Sequence, residues 1–242
     1  MTPMLTMEDV HGAYGPSEAV HGVNLHIDEG EVVCIVGRNG AGKTSTFRCI
    51  VQDMIRVTKG SVRFKGQELA GLPPHRVVQM GIGYVPEDRR VFPTLSVMEN
   101  LIVPRPMGSG KAKYWTIQKV FELFPPLEEF KSRLAGNLSG GQQQMLSIAR
   151  SLLIDPVLLL LDEPHEGLAP LVAREVVNAI RHLKSTGVSL LLSEQHLHLV
   201  KDTADRIYVV DRGITVFDGT MEQFEQDPEI AKKYLMVVRQ ES

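Results

Sequence analysis

Eight residues, Gly37-Arg38-Asn39-Gly40-Ala41-Gly42-Lys43-Thr44, constrain this chain more than any other stretch. They fit G-x-x-x-x-G-K-[ST], a loop that cradles phosphate between a strand and a helix. Both neighbours are predicted. Glu31 to Val36 is short, apolar and β-branched, as a buried strand should be, and Lys43 to Met54 lacks Gly and Pro, as a helix should. The glycines let the backbone curl so that its N–H groups, backed by the helix N-terminus, converge on phosphate oxygens. The candidate contacts are Gly37, Arg38, Asn39, Gly40, Ala41, Gly42, Lys43, Thr44 and Ser45. Among these, Lys43 supplies a point charge for the outer phosphates and the Thr44 hydroxyl a ligand for Mg²⁺. This predicts a nucleotide site without saying what the nucleotide does.

With 242 residues, the chain is the size of one large domain, or one domain with an inserted lobe. Its 26 basic and 29 acidic residues leave a net charge of −3, with no long run of either sign, so nothing predicts a nucleic-acid partner. Cys34 and Cys49 read as small buried apolar residues rather than a disulfide or metal pair. Met1 to Val10 carries Glu8 and Asp9 and no apolar core, so it is not expected to be a signal peptide. No apolar run approaches the ~18–20 residues needed to span a bilayer. A soluble protein is expected, with any membrane connection made through partners.

Alternation at Val20, Leu25 and Ile27, and at Val62 and Phe64, predicts exposed antiparallel strands flanking the loop. Further strands are predicted at Ile82 to Val85, Val157 to Leu161, Val188 to Leu192 and Ile207 to Val210. A helix from Leu171 to Ser185, with Pro170 before it and Gly187 after it, completes an α/β pattern. From about 90 to 150 the chain reads as helices broken by Pro104, Pro106, Pro125 and Pro126, one opened by the capping box Ser96 to Glu99. Met221 to Val238 is predicted to be a surface helix.

Leu138-Ser139-Gly140-Gly141-Gln142 opens a predicted helix to about Leu153, with Ser139 as N-cap and Gln142 closing a capping box. Two glycines there leave N–H groups uncovered, a second anion-binding feature. Asp162 and Glu163 end the strand at Leu161, putting two carboxylates beside the phosphate loop. Asp162 suits Mg²⁺, directly or through water, and Glu163 suits orienting and deprotonating an attacking water.

Gly37 to Thr44, Leu138 to Gln142 and Leu158 to Glu163, in that order and spacing, resemble the ATP-binding cassette family across essentially the whole chain. The resemblance implies an α/β fold: a P-loop nucleotide triphosphatase core with an antiparallel β subdomain and a helical subdomain inserted at about 90–150, all one domain spanning 1–242. It implies ATP and Mg²⁺ as cofactors and a second cassette, identical or paralogous. Ser139, Gly140, Gly141 and Gln142 would face the γ-phosphate held by that partner. Tyr14 falls where the family places an adenine-stacking aromatic.

The chain also departs from the family pattern. Glu87 stands where the family usually has Gln at the hinge to the helical lobe, and Gln195 where it has the switch histidine. His196, one position on, is the alternative switch; His196 and His198 give only weak metal-ligand spacing. The loop Pro164 to Pro170 lacks the usual Asp. Pro86-Glu87-Asp88-Arg89-Arg90-Val91-Phe92-Pro93, Gly167 to Pro170 and Glu194-Gln195 resemble the import cassettes for branched-chain and other hydrophobic amino acids, whose relatives handle urea and short amides. The implied protein is an ATPase subunit at the cytoplasmic face of the membrane. It would bind integral permease subunits, with an extracytoplasmic solute-binding protein acting through them. A soluble, non-transport cassette ATPase is the rival reading.

Overall fold

A computed structural model describes residues 3–103, 114–195, 201 and 203–235. Six strands form the central sheet, in the order β10 (Ile214–Thr220), β9 (Arg206–Asp211), β3 (Val32–Val36), β8 (Ser189–Glu194), β7 (Leu158–Asp162) and β6 (Ile82–Val85). All pair in parallel except β10, which returns antiparallel to β9. A parallel sheet is covered on both faces, so its strands are apolar throughout and alternate residues serve different cores. Val33, Ile35, Leu158, Leu160 and Leu191 face helix α1 (Lys43–Val51) and the second sheet. Val32, Cys34, Leu159, Leu161, Leu190 and Leu192 face α6 (Gly140–Leu152) and α7 (Pro170–Ser185).

The second sheet is antiparallel, in the order β2 (Ser17–Ile27), β1 (Leu5–Tyr14), β4 (Arg56–Phe64) and β5 (Gln67–Glu68). Its alternation predicts exposure, but Val20, Val23, Leu25, Ile27, Val62 and Phe64 are buried, because this face closes over α1. The turn between β9 and β10 ties the two sheets together. His21 N–H donates to the Gly213 carbonyl (2.7 Å), and Gly213 N–H donates to the Ala41 carbonyl in the phosphate loop (2.7 Å).

Three expectations need adjustment. Strand β1 is not anticipated, because a bulge at Asp9 (φ 46°) breaks its alternation. Helix α1 ends at Val51, since Gln52 (φ 57°) turns left-handed, short of the predicted Met54. The predicted C-terminal helix is two, Met221–Gln226 and Pro228–Tyr234, parted at Asp227 because Pro228 restricts the residue before it. Its end at Val238, like Pro104 and Pro106, lies outside the described residues. Among the described residues no helix is long and apolar enough to cross a membrane.

The helical lobe begins with α3 (Val97–Ile102), opened by the expected Ser96–Glu99 capping box. Asn100, fully buried, fixes its approach. Its Oδ1 accepts from Phe92 N–H (2.9 Å), and its Nδ2 donates to the carbonyls of Phe92, Leu95 and Ser96 (3.0, 3.2 and 2.9 Å). Replacing Asn100 with Leu strands these backbone groups, each worth about 1–3 kcal/mol when buried and unpaired. Urea unfolding of Asn100→Leu should show a loss of at least about 3 kcal/mol; a loss below about 1 kcal/mol would mean water replaces the amide.

Candidate active site

The loop between β3 and α1 turns where its glycines are needed. A Cβ on Gly37 would sit 2.4 Å from the Val210 carbonyl oxygen, and Gly40 and Gly42 hold φ of 77° and 107°. The loop folds around Lys43, which is 4% exposed. Its Nζ donates to the carbonyls of Gly37 (2.9 Å) and Arg38 (3.2 Å) and pairs with Glu163 Oε1 (2.9 Å).

Glu163 lies just past β7 in a left-handed conformation (φ 44°), a strained setting for a residue with a side chain. Its N–H is held by Ser193, donating to the hydroxyl (2.9 Å) and the carbonyl (3.2 Å). Gln195 Nε2 donates to Glu163 Oε2 (2.7 Å), so each carboxylate oxygen has a fixed partner. The structure thus brings Lys43, Glu163 and Gln195 together. His196 and His198 lie outside the described residues.

Asp162 is fully buried. Ser193 Oγ donates to its Oδ1 (2.6 Å), Tyr84 hydroxyl to its Oδ2 (3.2 Å), and the Thr44 side chain also bonds to it. Burial raises the Asp162 carboxyl above its ordinary range; the three hydrogen bonds pull the other way, and the charge of Glu163 adds to the rise. Glu87 is also raised, first by burial and then by the charges of Glu163, Asp162, Glu166 and Asp88. Thr44, Tyr84, Glu87 and Asp162 line a cavity of about 220 Å³. Its oxygen donors suit a hard cation. Among the described residues no three His, Cys, Asp or Glu side chains converge as a complete metal site, so a cation here would rely on phosphate and water oxygens as well.

Beside it lies a cleft of about 580 Å³, lined by Asn39, Gly40, Gly42 to Ser45, Glu87, Glu163 and Gln195. Glu18, His21, Glu166 and Arg212 also line it, and the sequence motifs do not point to them. Tyr14 ends β1. Its hydroxyl donates to Ser45 Oγ (3.2 Å) and accepts from Arg48 Nη1 (3.3 Å), with the Arg48 guanidinium 5.7 Å from the ring centre.

Ser139 to Gln142 stand apart from this cleft. The predicted capping box is present: Gln142 N–H donates to Ser139 Oγ (3.3 Å) and Ser139 N–H to Gln142 Oε1 (2.9 Å). Both glycines answer close approaches. A Cβ on Gly141 would meet Val172 Cγ1 at 2.2 Å, and one on Gly140 would meet Arg89 Nη1 at 2.6 Å. The same Arg89 donates to the Glu166 carbonyl (3.3 Å), linking hinge, α6 and the loop after β7.

The family model described as ABC transporter matches residues 20–166, more than half of the chain. The chain belongs to the ABC transporter family. It is an ATP-binding cassette, an ATPase coupled to transport. The cassette is 39% identical to the high-affinity branched-chain amino acid transport ATP-binding protein BraG of Pseudomonas aeruginosa, over 96% of this chain and 99% of that protein. It is 32% identical to the lipopolysaccharide export system ATP-binding protein LptB of Haemophilus influenzae, covering 96% and 97% of the two chains. The ADP conformation of the ATP-binding cassette MJ1267 superposes with a TM-score of 0.79 at 26% identity, covering 96% of this chain and 98% of that one.

Asp162 gives a stability test of this cassette's site. Its folded-state pKa is raised, so its ionised form opposes folding, fully so above that pKa and not at all below the unfolded value. Asp162→Asn removes the charge and keeps the shape. In nucleotide-free urea unfolding the variant should be more stable than wild type at pH 7, with the gap narrowing as pH falls through the carboxylate range. Lower stability of the variant at pH 7 would refute the assignment.

Proposed function

We propose that this cassette hydrolyses ATP to drive uptake of branched-chain amino acids across the cytoplasmic membrane. The observation that carries the solute is the 39% identity to BraG along nearly the full length of both chains. The similarity to LptB favours a second reading, an ATPase for lipopolysaccharide export. A urea or short-amide importer is a third, on the hinge and loop residues alone.

In this reading the loop N–H groups from Gly37 to Ser45 hold the phosphates, Tyr14 lies toward the adenine, and Thr44 and Asp162 hold Mg²⁺. Bound there, the ion would neutralise developing charge on the transferred phosphoryl group. Outer phosphate oxygens compete with Glu163 for Lys43. When Lys43 turns to phosphate, Glu163 Oε1 is released to take a proton from the attacking water, while Gln195 still steadies Oε2. Glu87, at the hinge, adds a carboxylate that can accept from metal-bound water.

Ser139 to Gln142 serve the γ-phosphate of a second cassette, identical or paralogous, so two chains close on ATP and reopen after hydrolysis. The groove between hinge and helical lobe, about 440 Å³ and lined by Val51, Arg89, Arg90, Val103 and Arg150, receives a permease subunit on the cytoplasmic face. A solute-binding protein outside the membrane delivers the solute, which the cassette never touches.

Two measurements test this. Glu163→Gln should bind ATP normally and lose on the order of 100-fold or more in kcat; near-wild-type turnover would remove Glu163 from the base role. The intact complex with its permease should show ATP-driven leucine uptake. Uptake of urea alone, or stimulation of hydrolysis by lipopolysaccharide alone, would overturn the amino-acid assignment.

A further inference from the structure

We infer that His165, paired with Glu194, is a positioning residue that sets Gln195 against Glu163; this rests on the hydrolytic reading of Glu163. Both partners are deeply buried, His165 at 7% and Glu194 at 3% exposure. His165 Nδ1 makes a short contact with Glu194 Oε1. His165 lies two residues after Glu163, in a turn closed by Glu166 N–H donating to the Glu163 carbonyl (3.1 Å). Glu194 ends β8 and immediately precedes Gln195. The contacts form a ring: Glu163 along the backbone to His165, across to Glu194, along the backbone to Gln195, and back through Gln195 Nε2 to Glu163 Oε2 (2.7 Å).

A strained residue such as Glu163 keeps its geometry only where its surroundings over-determine it. Ser193 holds its N–H, and the His165–Glu194 pair holds the next turn of chain to the same strand end. His165 Nε2 is buried and has no hydrogen-bond partner among the described residues. An apolar side chain could fill this space, but it would leave the buried Glu194 carboxylate without its partner, so packing alone does not explain an imidazole here. What the ring does supply is the Nδ1 contact, which orients the strand end bearing Gln195. His165 does not line the cleft, and it acts through Gln195.

The test is a kinetic cycle on the full chain. His165→Ala should lower kcat about 10-fold or more while the KM for ATP stays within about 3-fold, since misplacing a reacting group costs turnover rather than ground-state binding. His165→Asn, whose Nδ2–H replaces Nδ1–H, should recover most of that loss. In a Gln195→Ala background, His165→Ala should cost less than about 2-fold, because the two act as a unit. If His165→Ala fails to fold, His165→Leu, which keeps the volume and loses the Nδ1 contact, carries the same cycle against Gln195→Ala. Wild-type kcat in His165→Ala, an Asn variant as slow as Ala, or losses that simply multiply would each overturn the inference. A wild-type chain that binds ATP without turning it over sinks the hydrolytic reading and this inference with it; turnover indifferent to His165 sinks the inference alone.

Discussion

Parallel hydrogen bonding among β3, β8 and β7 decides where the phosphate loop, Gln195 and the Asp162–Glu163 pair sit. Val36 lies opposite Glu194, and Ser193 opposite Asp162, so three strands end at one level. The phosphate loop leaves the first, Gln195 the second and Glu163 the third. A slip of one residue in β7 would send Asp162 to the other face of the sheet and exchange the residues serving the two cores. The long apolar runs resist such a slip, because Leu158 and Leu160 pack on α1 while Leu159 and Leu161 pack toward α6 and α7. The hydrophobic core is therefore what aligns the chemistry.

The core also sets the site's electrostatics. Asp162 is held ionisable in a dry place by three hydroxyl groups, from Ser193, Tyr84 and Thr44, reaching it from β8, β6 and α1. Folding opposes a charge there, and the fold tolerates it because the packing on either side is extensive. A stability cost at a reactive carboxylate is a common feature of sites built for chemistry rather than for rigidity.

Sequence carries the local parts of this arrangement. The phosphate loop, both capping boxes and the acid pair at the end of β7 involve neighbours a few residues apart, so spacing alone exposes them. Tyr84, Ser193, Arg89 and the His165–Glu194 pair are invisible at that level. Ser193 matters only because β8 lies beside β7, and Arg89 only because a hinge, a helix start and a turn meet at its guanidinium. Strand order is a long-range property that periodicity does not encode. Local irregularity hides structure too: the bulge at Asp9 masks β1, and β10 exposes Ile214 and Val216, so it lacks a clear apolar face.

In the proposed reading, the pair between Lys43 and Glu163 links phosphate binding to activation of the attacking water. Both side chains are nearly buried, so neither charge can be left alone; separating a buried pair without replacement costs about 3–5 kcal/mol. Bound phosphate would supply the replacement for Lys43, and Gln195 remains for Glu163. In that reading Glu163 then faces Asp162 and Glu87 with its counter-charge withdrawn, two carboxylates raised first by burial, with the charge of Glu163 adding to the rise. On the same reading, Glu163 Oε1 is occupied while it is paired with Lys43 and is freed only when phosphate has taken the lysine, which ties proton abstraction to the presence of the phosphate to be attacked.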